Sequence, residues 1–429
     1  MPTIRPLRAL RYGRDLLPDL DRLISPSVAG EPEDRNTVGD VLPANVRHLV
    51  RGDRGPLAAD DEPPFTHAAR LLSRWKEDGV LVRDPRPAFY IYEQRIDGIE
   101  RRGVVTLVRL GEDRLLPHEV ARGGSTGTLR DQLAATRCQL SLVFAVVPDR
   151  SGALAEYLAG KPGFHLGEVR DGDGVLNRLW RDEDPRNHVA LAEALRDEPA
   201  VIADGHHRVE AALLHQTERA GGQPVTRERP YDYVMTLLVP ASAPGLRSLP
   251  THRVCEQLGP AGLAAFDQLG DRFAVEELEL GDEAGFLDGD GVRFVLVRSG
   301  RVQGLTLRDT EATRRALATL PEALREVEPA VLGATVLDPV LAAEAAAGGD
   351  AEDGGGAASG SSFNHNRATA EQVAARAYAG EVAAALLVRP VPNQRVVAVA
   401  EAGERMPPKS TNFSPKPAKG LLINSLVSF

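Results

Sequence analysis

Apolar positions along the chain alternate between helical and strand spacing, and Gly and Pro punctuate the switches. Ala68, Leu71, Leu72 and Trp75 recur at helical intervals and Asp78-Gly79 supplies a stop, so a helix is predicted over 65–79. The runs 88–92 and 103–110 are rich in β-branched and aromatic residues and are separated by a polar stretch, which predicts a strand pair. An amphipathic segment through Leu129 and Leu133 follows a Gly/Ser/Thr-rich loop at 123–128. The apolar run 140–147 then has the length of a buried strand and ends at Pro148-Asp149. Residues 151–198 read mostly as helices and loops. Val201-Ile202-Ala203 predicts a short buried strand, His206 through Glu218 a helix stopped by Gly221-Gly222, and 233–240 another strand. Further on, strands at 293–297 and 302–307 flank the turn dipeptide Ser299-Gly300. Helices are expected around 310–328 and 335–346, a flexible Gly/Ser/Ala/Asp linker at 346–362, a helix near 368–379, a strand at 385–388, another helix and a Pro/Lys-rich tail. This mixture specifies an α/β (α+β) protein without internal repeats, and the polar run 30–36 reads as an exposed loop.

At 429 residues the chain is long enough for two or three packed units, and 42% hydrophobic with 26% charged residues is globular composition. A net charge of −10 repels the phosphate backbone of nucleic acids, so no nucleic-acid partner is expected. The basic start (Arg5, Arg8, Arg11) is not followed by a signal-peptide core, and no stretch reads as about 18 apolar residues. The expectation is therefore a cytoplasmic protein with no membrane partner. Cys138 and Cys255 have no CxxC companions and read as small buried hydrophobes.

The densest chemistry lies in Ala203-Asp204-Gly205-His206-His207-Arg208, where a buried strand passes through glycine into a helix. The first N–H groups of a helix lack intrahelical partners and its dipole favours anions there, while Gly permits close backbone approach. Arg208 adds a guanidinium fork suited to phosphate. Clustered His and Arg at a helix start oppose the dipole unless an anion or carboxylate is near. The plainer alternative is that Asp204 simply caps the helix. Zinc is a weaker rival, because adjacent histidines point in different directions on a helix. His118-Glu119 follows an expected strand, where a carboxylate has the position of a general base or, equally, of a solvated loop residue.

The run 203–208 with Glu210-Ala211-Ala212 resembles the signature of a bacterial and archaeal family known as domain of unknown function 1015, of the ParB/sulfiredoxin superfamily. Further resemblances are Arg5 through Tyr12, Pro87 through Gln94, Pro117-His118-Glu119, Gly245 through Arg253, and the tail Gly403 through Thr411 with Pro415-Lys416-Pro417. The pairing of Pro-His-Glu with Asp-Gly-His-His-Arg is also similar to ParB-like free-serine kinases. That resemblance implies a ParB/sulfiredoxin-like catalytic core over 105–255, preceded by an N-terminal segment (1–104). An α+β extension (256–345), the linker and a C-terminal region (363–429) packing on the core follow. It further implies a small-molecule kinase using ATP or ADP, with CTP possible as in ParB, and Mg²⁺. The acceptor would be the hydroxyl of serine or a similar small hydroxylated metabolite.

The resemblance makes Glu119 the base, with His118, Asp204 and His207 as catalytic partners and Asp204 as metal ligand. Gly205, His206, His207 and Arg208 would hold the nucleotide. Beside the resemblance, His252 and Arg253 either line the same cleft as nucleotide-binding residues or form a turn with a satisfied histidine, and Arg405, Lys409 and Lys416 either fold back as phosphate clamps or belong to a solvated basic tail. The sequence differs from the family pattern at Ala121, Val209 and Ser27-Val28-Ala29. The alternative function is a nucleotide-binding sensor or slow NTPase with no phosphorylated product; oligomeric state is left open.

Overall fold

A computed structural model describes residues 4–24, 42–51, 64–111, 114–120, 125–161, 163–221, 227–347, 363–366 and 368–428. The run 30–36, Ser27-Val28-Ala29, Ala121, the start of the 123–128 loop and nearly all of the expected linker lie outside them. Contacts divide the chain into one unit of Met1–Pro117, Ala121–Arg247 and Phe413–Phe429, and another of His118–Val120 and Ser248–Asn412.

The first unit is built on a mixed sheet. Its strands are β1 (Ile4–Arg5), β2 (Phe89–Ile96), β3 (Ile99–Arg109), β4 (Leu115–Pro117), β5 (Val143–Val147), β6 (Phe164–Arg170), β7 (Leu176–Asp182), β8 (Ala200–Asp204) and β9 (Tyr233–Pro240). They run in the order β4-β8-β5-β9-β3-β2-β7-β6, with β1 alongside β3. The β4/β8 and β5/β9 pairs are parallel and the other pairs antiparallel. Every residue of β5 and of β9 is buried, as befits central strands, and this explains their unbroken apolar sequences. Helices α1 (Pro64–Glu77), α2 (Ser125–Thr136), α3 (Pro185–Ala194) and α4 (His206–Ala220) belong to this unit. Phe89, Ile91, Val143, Ala145, Leu154, Ile202 and Ala211 share its main core.

The expectation of helices and loops over 151–198 is corrected here. β6 and β7 form a hairpin at the end of the sheet, and most of β6 is exposed or half-buried. Its charged positions, Glu168 and Arg170, are those of an edge strand and hide the period-2 signal.

The second unit has a wholly antiparallel sheet of β10 (His252–Cys255), β11 (Phe273–Leu278), β12 (Arg293–Arg298), β13 (Arg301–Leu307), β14 (Phe363–Asn366) and β15 (Ala384–Leu387), ordered β11-β13-β12-β15-β10-β14. The Ser299-Gly300 turn is as expected, with Gly300 at φ 65°. Helical residues Glu328–Ala347 run continuously through a π-helical turn at Gly333–Leu337. Among the described residues this is the one helix long and apolar enough to cross a membrane. Its Ala-, Val- and Leu-rich composition, broken only by Asp338 and Glu344 after Glu328, corrects the expectation that no such stretch exists. Val331, Leu332, Val336 and Val340 are fully buried in the core of this unit. Both cysteines are buried, as expected.

Candidate functional site

In the first unit, β8 delivers Asp204 to Gly205, which turns the chain at φ 103° and N-caps α4. Only glycine adopts that backbone readily. A Cβ here would also stand 3.0 Å from Arg208 Nη1 and 3.4 Å from the Cα of Val143. No side chain caps the helix, so Asp204 is not the N-cap. Its Oδ2 instead accepts from Arg208 Nη1 at 3.2 Å, and its Oδ1 bonds Lys416 Nζ. Arg208 Nη1 also donates to the carbonyl of Leu142 at 2.5 Å. Burial alone raises the Asp204 carboxyl pKa. Arg208, Lys416 and His206 outweigh that effect and hold it far below the usual carboxylate range.

His206 is buried, while His207 is half-buried beside α2, with Nδ1 3.0 Å from Thr126 Oγ1 and 3.6 Å from Glu210 Oε2. Thr126 donates to that Glu210 carboxylate at 2.8 Å. The basic first turn thus has Glu210 and Asp204 as carboxylate neighbours, the compensation its opposition to the dipole requires.

The tail that carries Lys416 is buried against the same unit. Phe413 meets Phe144 edge-on at 5.9 Å between ring centroids, Lys416 O accepts from Gln94 Nε2 at 3.0 Å, and Ala418 N donates to Tyr92 Oη at 3.0 Å. Pro415 O and Gln94 Oε1 both accept from Arg101 Nη2. Sequence reasoning missed Arg101 and Gln94. Gln94 ended one of the recognised stretches, whereas nothing in the alternation of β3 distinguished Arg101.

The second unit holds the other candidates. His118 is buried, its Nε2 2.7 Å from Thr411 Oγ1, and its carbonyl accepts from Met406 N at 2.8 Å. Glu119 Oε2 accepts the backbone N–H of Lys409 at 2.9 Å, and Lys409 takes a left-handed φ of 58°. The Pro-His-Glu stretch and the 403–411 stretch therefore meet through hydrogen bonds. Arg405 is exposed, as is the side chain of Lys409.

His252 and Arg253 are buried in β10. His252 Nδ1 accepts from Val388 N at 3.2 Å and its Nε2 meets no partner among the described residues. Burial, with help from Arg253, pulls the His252 pKa down to about 4. Arg253 Nη1 donates to Thr251 O at 2.6 Å. His365 lies in β14 opposite Arg253.

Both Asp204 oxygens face cations, and among the described residues no three metal-ligating side chains gather. That donor set does not fit a magnesium ion as it stands. An uncapped helix start, a glycine turn and flanking cations do fit a phosphate group.

A mixed sheet in which a strand turns through glycine into an uncapped helix defines an α/β protein. The chain belongs to the family described as "Protein of unknown function (DUF1015)", whose model matches residues 4–324. The tail with Lys409 and Lys416 lies beyond the matched range. No curated protein matches the chain significantly in sequence.

Among solved structures it is similar to a free serine kinase variant in complex with AMP, at 11% identity over 74% of this chain and 91% of that one, with a TM-score of 0.37. It is also similar to a conserved hypothetical protein from Pyrococcus furiosus (12% identity, 75% and 94% covered, TM-score 0.36). A third similar structure is C-terminally truncated SbnI from Staphylococcus aureus (10%, 75% and 87%, TM-score 0.37).

Proposed function

We propose that this protein is a small-molecule kinase that binds a nucleotide at Asp204–Arg208 and transfers its terminal phosphate to the hydroxyl of serine or a serine-like metabolite. The observation that carries the reading is the Gly205 turn, where an uncapped 15-residue helix begins beside Arg208 and Lys416. Phosphoryl transfer asks mainly for positioning and for cations around the transferred group, with one base to orient the nucleophile. In the proposed step the acceptor oxygen bonds to the terminal phosphorus as the bond to the bridging oxygen breaks. The hydroxyl proton passes to the Glu119 carboxylate, and the nucleotide leaves one phosphate shorter. The backbone N–H groups of His206 and His207 and the Arg208 guanidinium hold phosphate oxygens. Asp204 positions Arg208 and Lys416. Magnesium at Asp204 requires Lys416 to leave.

A sensor that binds nucleotide without forming product is the second reading. It is favoured by the engagement of both carboxylates, Glu119 by Lys409 N and Asp204 by Lys416. Incubation with ATP, ADP or CTP and a panel of hydroxy amino acids, followed by phosphorus NMR, separates the two. A new phosphomonoester, lost in Glu119→Gln, supports the kinase. Product formation unchanged in Glu119→Gln refutes the role of the base, and binding without product favours the sensor.

A further inference from the structure

Arg101 is the least explained charge in the first unit. It is only 2% exposed and pairs with no carboxylate among the described residues. Nη2 donates to the Gln94 amide oxygen and the Pro415 carbonyl, the guanidinium lies 4.6 Å over the Phe144 ring, and Nη1 is buried with no hydrogen-bond partner among the described residues. Burial pulls its pKa down to about 10, so it remains a cation at neutral pH. A buried cation matched only by neutral dipoles and a ring face is costly to keep unless something else neutralises it. Its surroundings say where that something sits. Phe144, on which Arg101 rests, is the register partner of Asp204 across the β5/β8 pair. Lys416 links the two ends, its carbonyl accepting from Gln94 beside Arg101 and its ammonium on Asp204. Arg101, Lys416 and Arg208 thus belong to one connected polar network that reaches the start of α4 through Asp204, and Arg101 is the member with no carboxylate partner among the described residues.

We propose that Arg101 is an anion-binding residue of this site, and that its charge is matched by a polyanion of the pyrophosphate class, admitted when the tail segment 413–418 yields. The inference deepens the nucleotide reading above, naming the diphosphate portion as what the site selects. Arg suits the task better than Lys because its planar fork takes two oxygens at once.

The test is thermal-shift and calorimetric titration of the full chain with sodium pyrophosphate, and separately with ADP and ATP, for wild type, Arg101→Met and Arg101→Lys. Wild type is expected to bind pyrophosphate, and Arg101→Met to weaken that binding roughly thirty-fold or more, the loss typical of truncating a buried charged partner. Without ligand, Arg101→Met is expected to melt no lower than wild type, because it removes an unmatched buried charge. If Arg101→Met does not fold, Arg101→Lys is read instead, with binding expected to weaken about tenfold through loss of the fork. Pyrophosphate affinity unchanged in the variant, or no pyrophosphate binding by wild type, overturns the proposal. Wild type binding pyrophosphate but no nucleotide leaves Arg101 assigned and removes the nucleotide reading. Nucleotide binding equal in wild type and variant removes Arg101 and spares that reading.

Discussion

His252 offers the sharpest check on what its neighbourhood does. Its ring is 1% exposed and its Nδ1 accepts the Val388 N–H, so the folded state requires the neutral ring protonated on Nε2. Burial takes its pKa from 6.5 down to about 4. Because the folded value is the lower one, the unfolded chain binds the extra proton between these values. The stabilisation is complete above pH 6.5 and drains away as pH falls towards 4. About 2.5 units at 1.36 kcal/mol each gives roughly 3 kcal/mol over that window. Carboxylates titrate in part of the same range, so the quantity to measure is a difference. Urea unfolding of wild type and His252→Gln at pH 7.5 and pH 4.5 isolates it, since the variant retains every other titrating group. Wild type is expected to lose about 2–3 kcal/mol more than His252→Gln between the two pH values. Equal losses refute the buried neutral assignment. A ring titrating near 6.5 by NMR, and shifting on nucleotide addition, returns His252 to the binding role expected from sequence.

Replacing Gly205 with Ala forces a side chain into φ 103° against Arg208 Nη1, and is expected to cost about 1–3 kcal/mol, read as a lower thermal midpoint; an unchanged midpoint contradicts the strained turn. Lys416→Met removes one of two cations from Asp204, whose depressed carboxyl supports the fold above its unfolded pKa and loses that support as acid protonates it. The variant's acid-unfolding midpoint is expected at higher pH than wild type, and coincident acid-unfolding curves refute the pairing.

Much of this was legible because single residues carried the signal. The 233–240 strand was read from an apolar run that turns out buried at every position. The turn at 203–206 was read from Gly205 alone, whose conformation glycine uniquely permits. Hidden features were those decided by distant partners. β6 carries surface charge because it is the exposed edge, and its partner β7 is only partly buried, so composition argued against strands. The tail reads as a basic, Pro-rich solvated segment, yet Lys416 is drawn inward by a carboxylate 212 positions away. The histidine of Pro250-Thr251-His252-Arg253 looks like a ligand locally and is a strand residue held by Val388. Local periodicity has no access to such pairings.

The return of residues 413–429 to the first unit has a consequence for biosynthesis. A chain emerging from the ribosome at about 5–20 residues per second exposes Asp204 roughly 10–40 s before Lys416 follows. Through that interval the rings of Tyr92 and Phe144 and the Arg101 guanidinium wait without the tail that covers them. The first half of the molecule to be made is therefore the last to be finished.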